Sequence, residues 1–110
     1  MTAYLASASS IAISGLQAAS ARVAIRAGDI ANLATPGYRQ ADISQVATPA
    51  GPRVTPSRPP GPAAPQGLFA QVDLPAAIVD MNAAKRAFEA SAKVLKTSDE
   101  MADTLLEALA

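Results

Sequence analysis

The stretch that decides the fold is the last third of the chain, 74-LPAAIVDMNAAKRAFEASAKVLKTSDEMADTLLEAL-109. Its larger apolar residues recur at steps of three and four, which places them on one face of an α-helix and suits packing against a second helix. Asp73 is a favourable N-cap, Pro75 falls in the first turn, and no Pro or Gly follows. The sequence therefore predicts a helix from about Leu74 to Leu109. At 1.5 Å per residue it would be about 54 Å long, which suits one half of a rod better than a small globule.

The first third of the chain carries a second helical pattern with two apolar rows. One row runs from Leu5 to Leu33 at the same spacing, and the other, Ile11, Ala18 and Ile25, lies roughly 140° round the helix from Leu16. Two rows need two partners. Either both rows form one wide face in a small bundle, or one packs on the chain's own second helix and the other on a neighbouring molecule. The residues expected at helix interfaces are Leu5, Ile11, Leu16, Val23, Ile25, Ile30, Ile78, Met81, Phe88, Leu95, Met101, Leu105 and Leu109.

A turn motif ends the first helix. Asn32 tolerates the left-handed conformation near a helix end, and Pro36 disfavours helical geometry at Thr35. Pro36 and Gly37 suit the two central positions of a type II turn, with a positive φ at Gly37. The ring of Tyr38 is expected to pack back on the helices while its hydroxyl finds a polar partner.

A Pro-rich segment separates the two helices, since seven of the nine prolines lie between Pro49 and Pro65. This composition predicts extended or disordered chain without a strand ladder. We therefore predict three segments: an N-terminal helix with its turn at 1–38, a connector at 39–71, and a C-terminal helix at 72–110. The fold class expected is all-α, with two long antiparallel helices in a coiled-coil-like hairpin.

Composition argues against an enzyme. The chain has no His and no Cys, so it lacks the usual general base, a thiolate nucleophile and a transition-metal ligand set. We predict no catalytic residue, no cofactor and no metal. The net charge is zero, which argues against nucleic acid as a partner, and no apolar run is long enough to cross a membrane. The sequence contains no glycine-rich phosphate loop and no nucleophile motif, so we expect no small-molecule substrate. The acidic residues Asp99, Glu100, Asp103 and Glu107 oppose the helix dipole, which indicates compensation from outside the chain.

Two separate stretches resemble one protein family. The segment from Asp29 to Tyr38 resembles the Asn-x-x-Thr-Pro-Gly-Tyr signature near the N-terminus of bacterial flagellar rod, hook and hook-associated proteins. The C-terminal stretch is similar to the C-terminal segment of the same family, with Val-Asp-Leu ending at Leu74, then Ala84–Thr97, then Asp-Glu-Met ending at Met101. One departure is Phe88, which stands where Tyr is common in the family and lacks its hydroxyl.

The resemblance implies a structural subunit of the proximal rod of the flagellar basal body. Its terminal helices would polymerise into the axial drive shaft. Implied partners are copies of itself and other flagellar rod, basal-body and export-gate proteins, and the implied location is the periplasm-spanning rod. Export would use the flagellar type III apparatus without a cleaved signal peptide. The alternatives are an adaptor or regulatory protein that binds rod subunits without polymerising, and a surface-active amphipathic-helix protein. We expect the isolated, dilute chain to be mostly unfolded or molten and to gain helix only with rod partners.

Overall fold

The computed structural model describes residues 2–57 and 72–110, and it contains two long helices with a β-hairpin between them. Helix α1 spans Thr2–Ala31 and helix α2 spans Leu74–Leu109. Strand β1 spans Asp42–Thr48 and strand β2 spans Gly51–Ser57. The two helices pack antiparallel along their lengths, which gives an elongated molecule of 69 × 22 × 14 Å.

Helix α2 confirms the prediction made for the last third of the chain. It is an uninterrupted helix of 36 residues, and Asp73 is its N-cap. The Ala76 N–H donates to Asp73 Oδ1 over 3.2 Å, which satisfies one of the backbone donors that a helix start leaves without a partner. Pro75 lies in the first turn, where its missing N–H costs nothing.

The prediction of an all-α fold is wrong, because residues 42–57 of the Pro-rich segment form an antiparallel β-hairpin. The register pairs Thr48 with Gly51 across a two-residue loop and extends to the pair of Asp42 with Ser57. The rest of the predicted connector, residues 58–71, lies outside the described residues.

Proline spacing explains why a ladder forms in this segment. Pro52 and Pro56 lie four residues apart in β2, so both occupy the same alternate positions, opposite Ala47 and Ile43 of β1. In an antiparallel pair, alternate residues direct their N–H and C=O groups away from the partner strand. Prolines at such positions remove no cross-strand hydrogen bond. The prediction from composition considered only the number of prolines and not their four-residue spacing.

Strand β2 lies against α1 and covers part of the second apolar row. The Ser14 hydroxyl donates to the Pro52 carbonyl over 3.0 Å, and Ala18 beside this contact is buried. Gly51 has a φ of 115°, and a Cβ there would lie 2.6 Å from Ser14 Oγ and 2.7 Å from Ser14 Cβ. Both its conformation and this close approach require glycine. The second row therefore has a partner within the chain, the hairpin, which neither of the two sequence-based alternatives included.

Small residues, and not the large apolar residues that the sequence emphasises, form the contact line between the helices. The buried residues of α2 are Ala77, Ala84 and Ser98, which recur at multiples of seven. A Cβ on Gly15 would lie 2.6 Å from Ser91 Oγ, so the two helices approach closely at this level. Side chains this small allow backbones to approach, while bulkier ones are displaced to the flanks. We call this line the small-residue seam.

The two glycines of α1 differ in their surroundings and should respond differently to substitution. A Cβ added to Gly28 would meet no neighbouring atom within 4 Å, whereas Gly15 faces Ser91 across the seam. Gly28→Ala should stabilise α1 by about 0.5–1 kcal/mol, since alanine loses less backbone entropy. Gly15→Leu should destabilise the helix pair by about 1–3 kcal/mol through overpacking.

Circular dichroism at 222 nm on the purified full chain measures both effects. Helix content should rise in the first variant and fall in the second. Equal changes in helix content from the two substitutions would contradict the close approach of the two helices at Gly15.

Candidate functional site: a polar clasp and the exposed helix faces

The chain ends α1 with a set of local hydrogen bonds in the turn motif. Asn32 Nδ2 donates to the Gly28 carbonyl over 2.8 Å, and the Thr35 hydroxyl donates to Asn32 Oδ1 over 3.2 Å. The Tyr38 N–H donates to the Thr35 carbonyl over 3.3 Å, and Gly37 has a φ of 77°. These are the features of a type II turn with Pro36 and Gly37 at its centre. The turn reverses the chain and directs Tyr38 back towards α1.

Asn32 does not act in the way that the sequence suggested. No non-glycine residue in the described part of the chain has a positive φ, so Asn32 is not left-handed. Its side-chain amide instead caps a carbonyl of the last helical turn. An Asn near a helix end is compatible with either role, and the sequence alone did not distinguish the two.

Asp29 lies at the centre of the site, and its side chain is fully buried. It accepts from the Tyr38 hydroxyl over 2.8 Å, from Arg26 Nη1 over 3.0 Å and from the Ala41 N–H over 3.3 Å. A carboxylate in the last turn of a helix opposes the helix dipole, and its burial adds a desolvation cost. Three donors offset these costs. The polar partner expected for Tyr38 is therefore Asp29.

Arg26 connects this carboxylate to the second helix. Its Nη1 also donates to the Ala41 carbonyl over 2.9 Å, and its Nε donates to Asp80 Oδ2 over 2.8 Å. Arg22, one turn earlier in α1, forms an ion pair with the other oxygen of Asp80. We call the set Arg22, Arg26, Asp29, Tyr38 and Asp80 the polar clasp. It joins α1, the turn, the residue before β1 and α2 in one network.

The electrostatics of the clasp favour its charged form. Burial alone would raise the pKa of Asp80, but hydrogen bonds from Arg26 and Arg22 and their positive charges outweigh it, and the pKa lies below its ordinary value of 3.8. Burial alone would lower the pKa of Arg26, but its bonds to Asp80 and Asp29 hold the pKa above its usual value. Both groups therefore stay charged at neutral pH.

The predicted interface residues divide between the flanks of the seam and the solvent. Those that are half-buried are Leu5, Leu16, Val23, Ile25, Ile30, Met81, Leu95 and Leu105. Those that remain exposed are Ile11, Ile78, Phe88, Met101 and Leu109. Only the first group is shielded within this chain. Each residue of the exposed group keeps between 42% (Ile11) and 77% (Leu109) of its surface accessible in the part of the chain that the structure describes.

Sequence reasoning missed the clasp and several exposed apolar residues. In the sequence Arg26 is only a polar interruption of an apolar row, although its spacing to Arg22 and Asp29 places all three near one face of α1. The exposed apolar residues that were missed are Tyr4, Ile13, Val46, Val79 and Val94, of which Tyr4 is 82% and Val79 67% exposed. Their partners cannot be read from one sequence.

The clasp holds segments of the chain together by ion pairs and hydrogen bonds. Among residues 2–57 and 72–110, no group of three or more acidic residues is arranged to hold a metal ion. No helix in the same residues is long and apolar enough to cross a membrane. What the arrangement does is hold two helices and a turn in one geometry, with apolar faces directed outward.

Comparison with known protein families gives a match in the C-terminal part of the chain. Residues 69–108 match the family model described as "Flagellar basal body rod FlgEFG protein C-terminal". This segment contains all but the last residue of α2. The match supports the resemblance to flagellar rod and hook proteins that the C-terminal motif indicated. No curated protein matches the chain.

The clasp predicts an acid-dependent stability. Because the pKa of Asp80 is lower in the folded chain than its ordinary value of 3.8, its stabilising contribution is complete well above that pH and is lost as the pH falls through the folded value. Asp80→Asn should lower the free energy of unfolding at pH 7 by about 1–3 kcal/mol and should flatten the acid limb of stability against pH.

The free energy of unfolding is measured by urea titrations, followed by circular dichroism, at a series of pH values from about 2 to about 7. This range covers the pH values at which carboxylates titrate. Asp103→Asn is the matched control, since Asp103 is an exposed carboxylate of the same helix. An acid limb equally steep in the Asp80 and Asp103 variants would contradict the role given to Asp80.

Proposed function

Because this chain carries the C-terminal segment of the flagellar basal-body rod family, we propose that it is a structural subunit of the rod that polymerises through its two helices. The family supports a role in the basal body and a non-enzymatic one. The finer assignment, to the proximal rod, rests on the C-terminal residues quoted above and on the small size of the segment between the helices.

The observation that carries the proposal is the outward apolar surface of both helices. Tyr4 is 82% exposed, Val79 67% and Leu109 77%. A two-helix molecule with a seam of small residues buries little of its larger apolar side chains within itself. At one end of the helix pair, Tyr4, Leu5, Met101 and Leu105 line one groove, and apolar surface of this kind on a small protein marks an interaction site. Burial between neighbouring molecules would stabilise the assembly by about 25 cal/mol for each Å² removed from water.

The polar clasp supports the same function because it fixes the position of the two helices relative to each other, which polymerisation requires. Neighbours can pack reproducibly only if the two helices keep one relative register. Arg26 and Arg22 hold α2 at Asp80, and the turn holds Tyr38 on Asp29. The apolar faces of α1 and α2 are then presented in a fixed arrangement, which a tube of repeated subunits requires.

The partners we propose are copies of this chain and other rod, basal-body and export-gate proteins, reached by export through the flagellar type III apparatus. The alternative is an adaptor that binds rod subunits through the same helices without polymerising. An adaptor would form a complex of fixed stoichiometry, whereas a rod subunit is present in several copies in each basal body.

The test is complementation of a strain that lacks its proximal rod protein. Motility is scored, and tagged chain is counted in isolated basal bodies. Restored swimming with several copies in each rod supports the proposal. A single copy per basal body, or a soluble complex without rods, would support the adaptor instead.

The turn motif gives a further prediction. Gly37 has a φ of 77° and no atom within 4 Å of a Cβ position, so only its backbone conformation constrains the residue. Gly37→Val should cost about 1–2 kcal/mol and misdirect Tyr38, because a β-branched residue disfavours positive φ. We expect loss of assembly with export retained.

Gly37→Asn is the matched control, since Asn adopts positive φ far more readily than Val does. It should assemble close to the unsubstituted level. Rods formed by the Val variant in normal numbers would show that this turn does not direct assembly.

A further inference from the structure

Helix α2 carries a second uncharged face beside the one that packs on α1. The face towards α1 consists of residues at alternating steps of four and three, from Ala77 to Leu109. A second set with the same alternation precedes the members of the first set by one position, so it lies about 100° round the helix. All its members are exposed, and Val94 and Met101 each keep 51% of their surface accessible. We call this set the second face: Ala83, Ala87, Ala90, Val94, Thr97, Met101, Thr104 and Ala108.

The second face has the chemistry of a helix contact. No charged residue belongs to it, although charged residues flank it along most of its length. The hairpin packs on α1, where Ser14 binds the Pro52 carbonyl, and leaves this face of α2 exposed. Tyr4 of α1, 82% exposed, lines a groove together with Met101 and extends the apolar surface. One neighbouring helix covers an arc of about 100°, so α1 covers the first face and a further partner is needed for the second.

The segment 58–71 cannot cover the centre of the second face. It leaves the chain's described part after Ser57, at the base of the hairpin, and returns before Asp73, whose N–H donates to Gln40 Oε1 over 2.9 Å. Both of its ends are therefore held at the clasp end of the molecule. A segment of 14 residues that goes out and back reaches at most about 26 Å. Val94 lies about 31 Å along α2 from Asp73, and the rest of the second face lies further.

Met1 cannot cover the centre of the second face either. Gly15 of α1 approaches Ser91 of α2, so Val94 lies near the level of Ala12. Ala12 is about 15 Å along α1 from Thr2, which is longer than one extended methionine. Cover for the middle of the second face therefore has to come from another molecule.

We propose that two copies of this chain pair through their second faces, with the two α2 helices antiparallel about a two-fold axis near residues 95 and 96. Such a contact is isologous, because both copies use the same surface, and it closes as a dimer. An antiparallel pair cannot be extended into a polar rod. The dimer is therefore a form of the chain outside the rod, and it does not rest on the proposed function.

The spacing of the second face permits this pairing because it is the same in both directions. Its steps alternate four, three, four, three, four, three, four, so the reversed face matches itself. The layers formed in this register are Ala83 with Ala108, Ala87 with Thr104, Ala90 with Met101, and Val94 with Thr97. No layer contains two large side chains, so the helices can approach closely. The contact is about 38 Å long.

Charge complementarity selects this register. Four exposed charged residues flank the second face at steps of seven, in the order Arg86, Lys93, Glu100 and Glu107. In an antiparallel pair the four residues of both copies lie on the same side of the contact. Arg86 then meets Glu107 of the other copy and Lys93 meets Glu100, each twice in a dimer.

Other arrangements of the same faces lose this complementarity. A shift of seven residues in one direction places Lys93 opposite Lys93, and a shift in the other direction places Glu100 opposite Glu100. A parallel pair separates the flanking charges to opposite sides of the contact. Glu100 also has Lys96 of its own helix at 3.8 Å, but a carboxylate accepts from more than one donor. Like charges in a wrong register exclude it more strongly than attraction alone favours the right one.

Single cysteines test the pairing, because the chain contains no cysteine of its own. Ala90→Cys and Met101→Cys are prepared as separate full-length chains, one with a longer tag, and are mixed and oxidised. The two positions lie opposite each other between copies, whereas within one helix they are about 16 Å apart. The matched control is Ala90→Cys mixed with Ala108→Cys, a position about 10 Å out of register.

The expected result is a linked dimer of mixed tags, with about tenfold less linked product from either chain alone and from the control mixture. Linked product from Ala90→Cys alone would indicate a parallel pair and would overturn the proposal. Equal product from the control mixture, or monomer alone at the highest soluble concentration, would overturn it as well. Complementation by the unsubstituted chain tests the rod assignment separately, so either proposal can fail without the other.

Charge exchange supplies an independent readout by sedimentation equilibrium. Arg86→Glu and Glu107→Arg should each weaken the dimer about tenfold, because an exposed pair becomes repulsive at two places in each dimer. The double variant should recover most of the affinity. The two positions are about 31 Å apart in one helix, so recovery requires contact between copies. Glu89→Arg, an equal change of charge outside the contact, should leave the dimer unchanged. A double variant as weak as the single ones would overturn the pairing.

Discussion

The structure depends on one buried carboxylate. Asp29 is the fully buried large side chain among the described residues, and an ionised group in that position is costly unless donors surround it. Its donors come from three different places: Arg26 of α1, the Tyr38 hydroxyl beyond the turn, and the Ala41 backbone before β1. Each bond fixes one piece of chain relative to the others. Because Arg26 also binds Asp80, the same interaction fixes the register of α2.

This arrangement explains why the turn residues are required as a set. Asn32 and Thr35 end the helix, Pro36 and Gly37 reverse the chain, and only then can the Tyr38 hydroxyl reach Asp29. A fault at any step would leave the buried carboxylate with one donor fewer. Removing one donor from a buried charged group lowers the stability of the fold by more than the net contribution of that hydrogen bond, because the group keeps its desolvation cost.

Much of the fold could be predicted from the sequence, and the misses have physical reasons. The bounds and N-cap of α2 followed from a long pattern with a clear start signal, the most dependable kind of local evidence. The hairpin was missed because Pro content was considered without the four-residue spacing of Pro52 and Pro56. The seam was missed because large apolar residues suggest a core, whereas Gly15 and Ala84 allow the close approach. The clasp joins residues more than 50 positions apart, and no local pattern shows such a contact.

The contacts between α1 and α2 differ at the two ends of the helix pair. In the part of the chain that the structure describes, the ion pairs that join α1 to α2 are those of Arg22 and Arg26 with Asp80, all at the clasp end. The opposite end carries Tyr4, Leu106 and Leu109, which are largely exposed. Helix ends with few buried large side chains open most readily. Neighbouring molecules that cover these side chains would close that end, so assembly would complete the folding that the clasp begins.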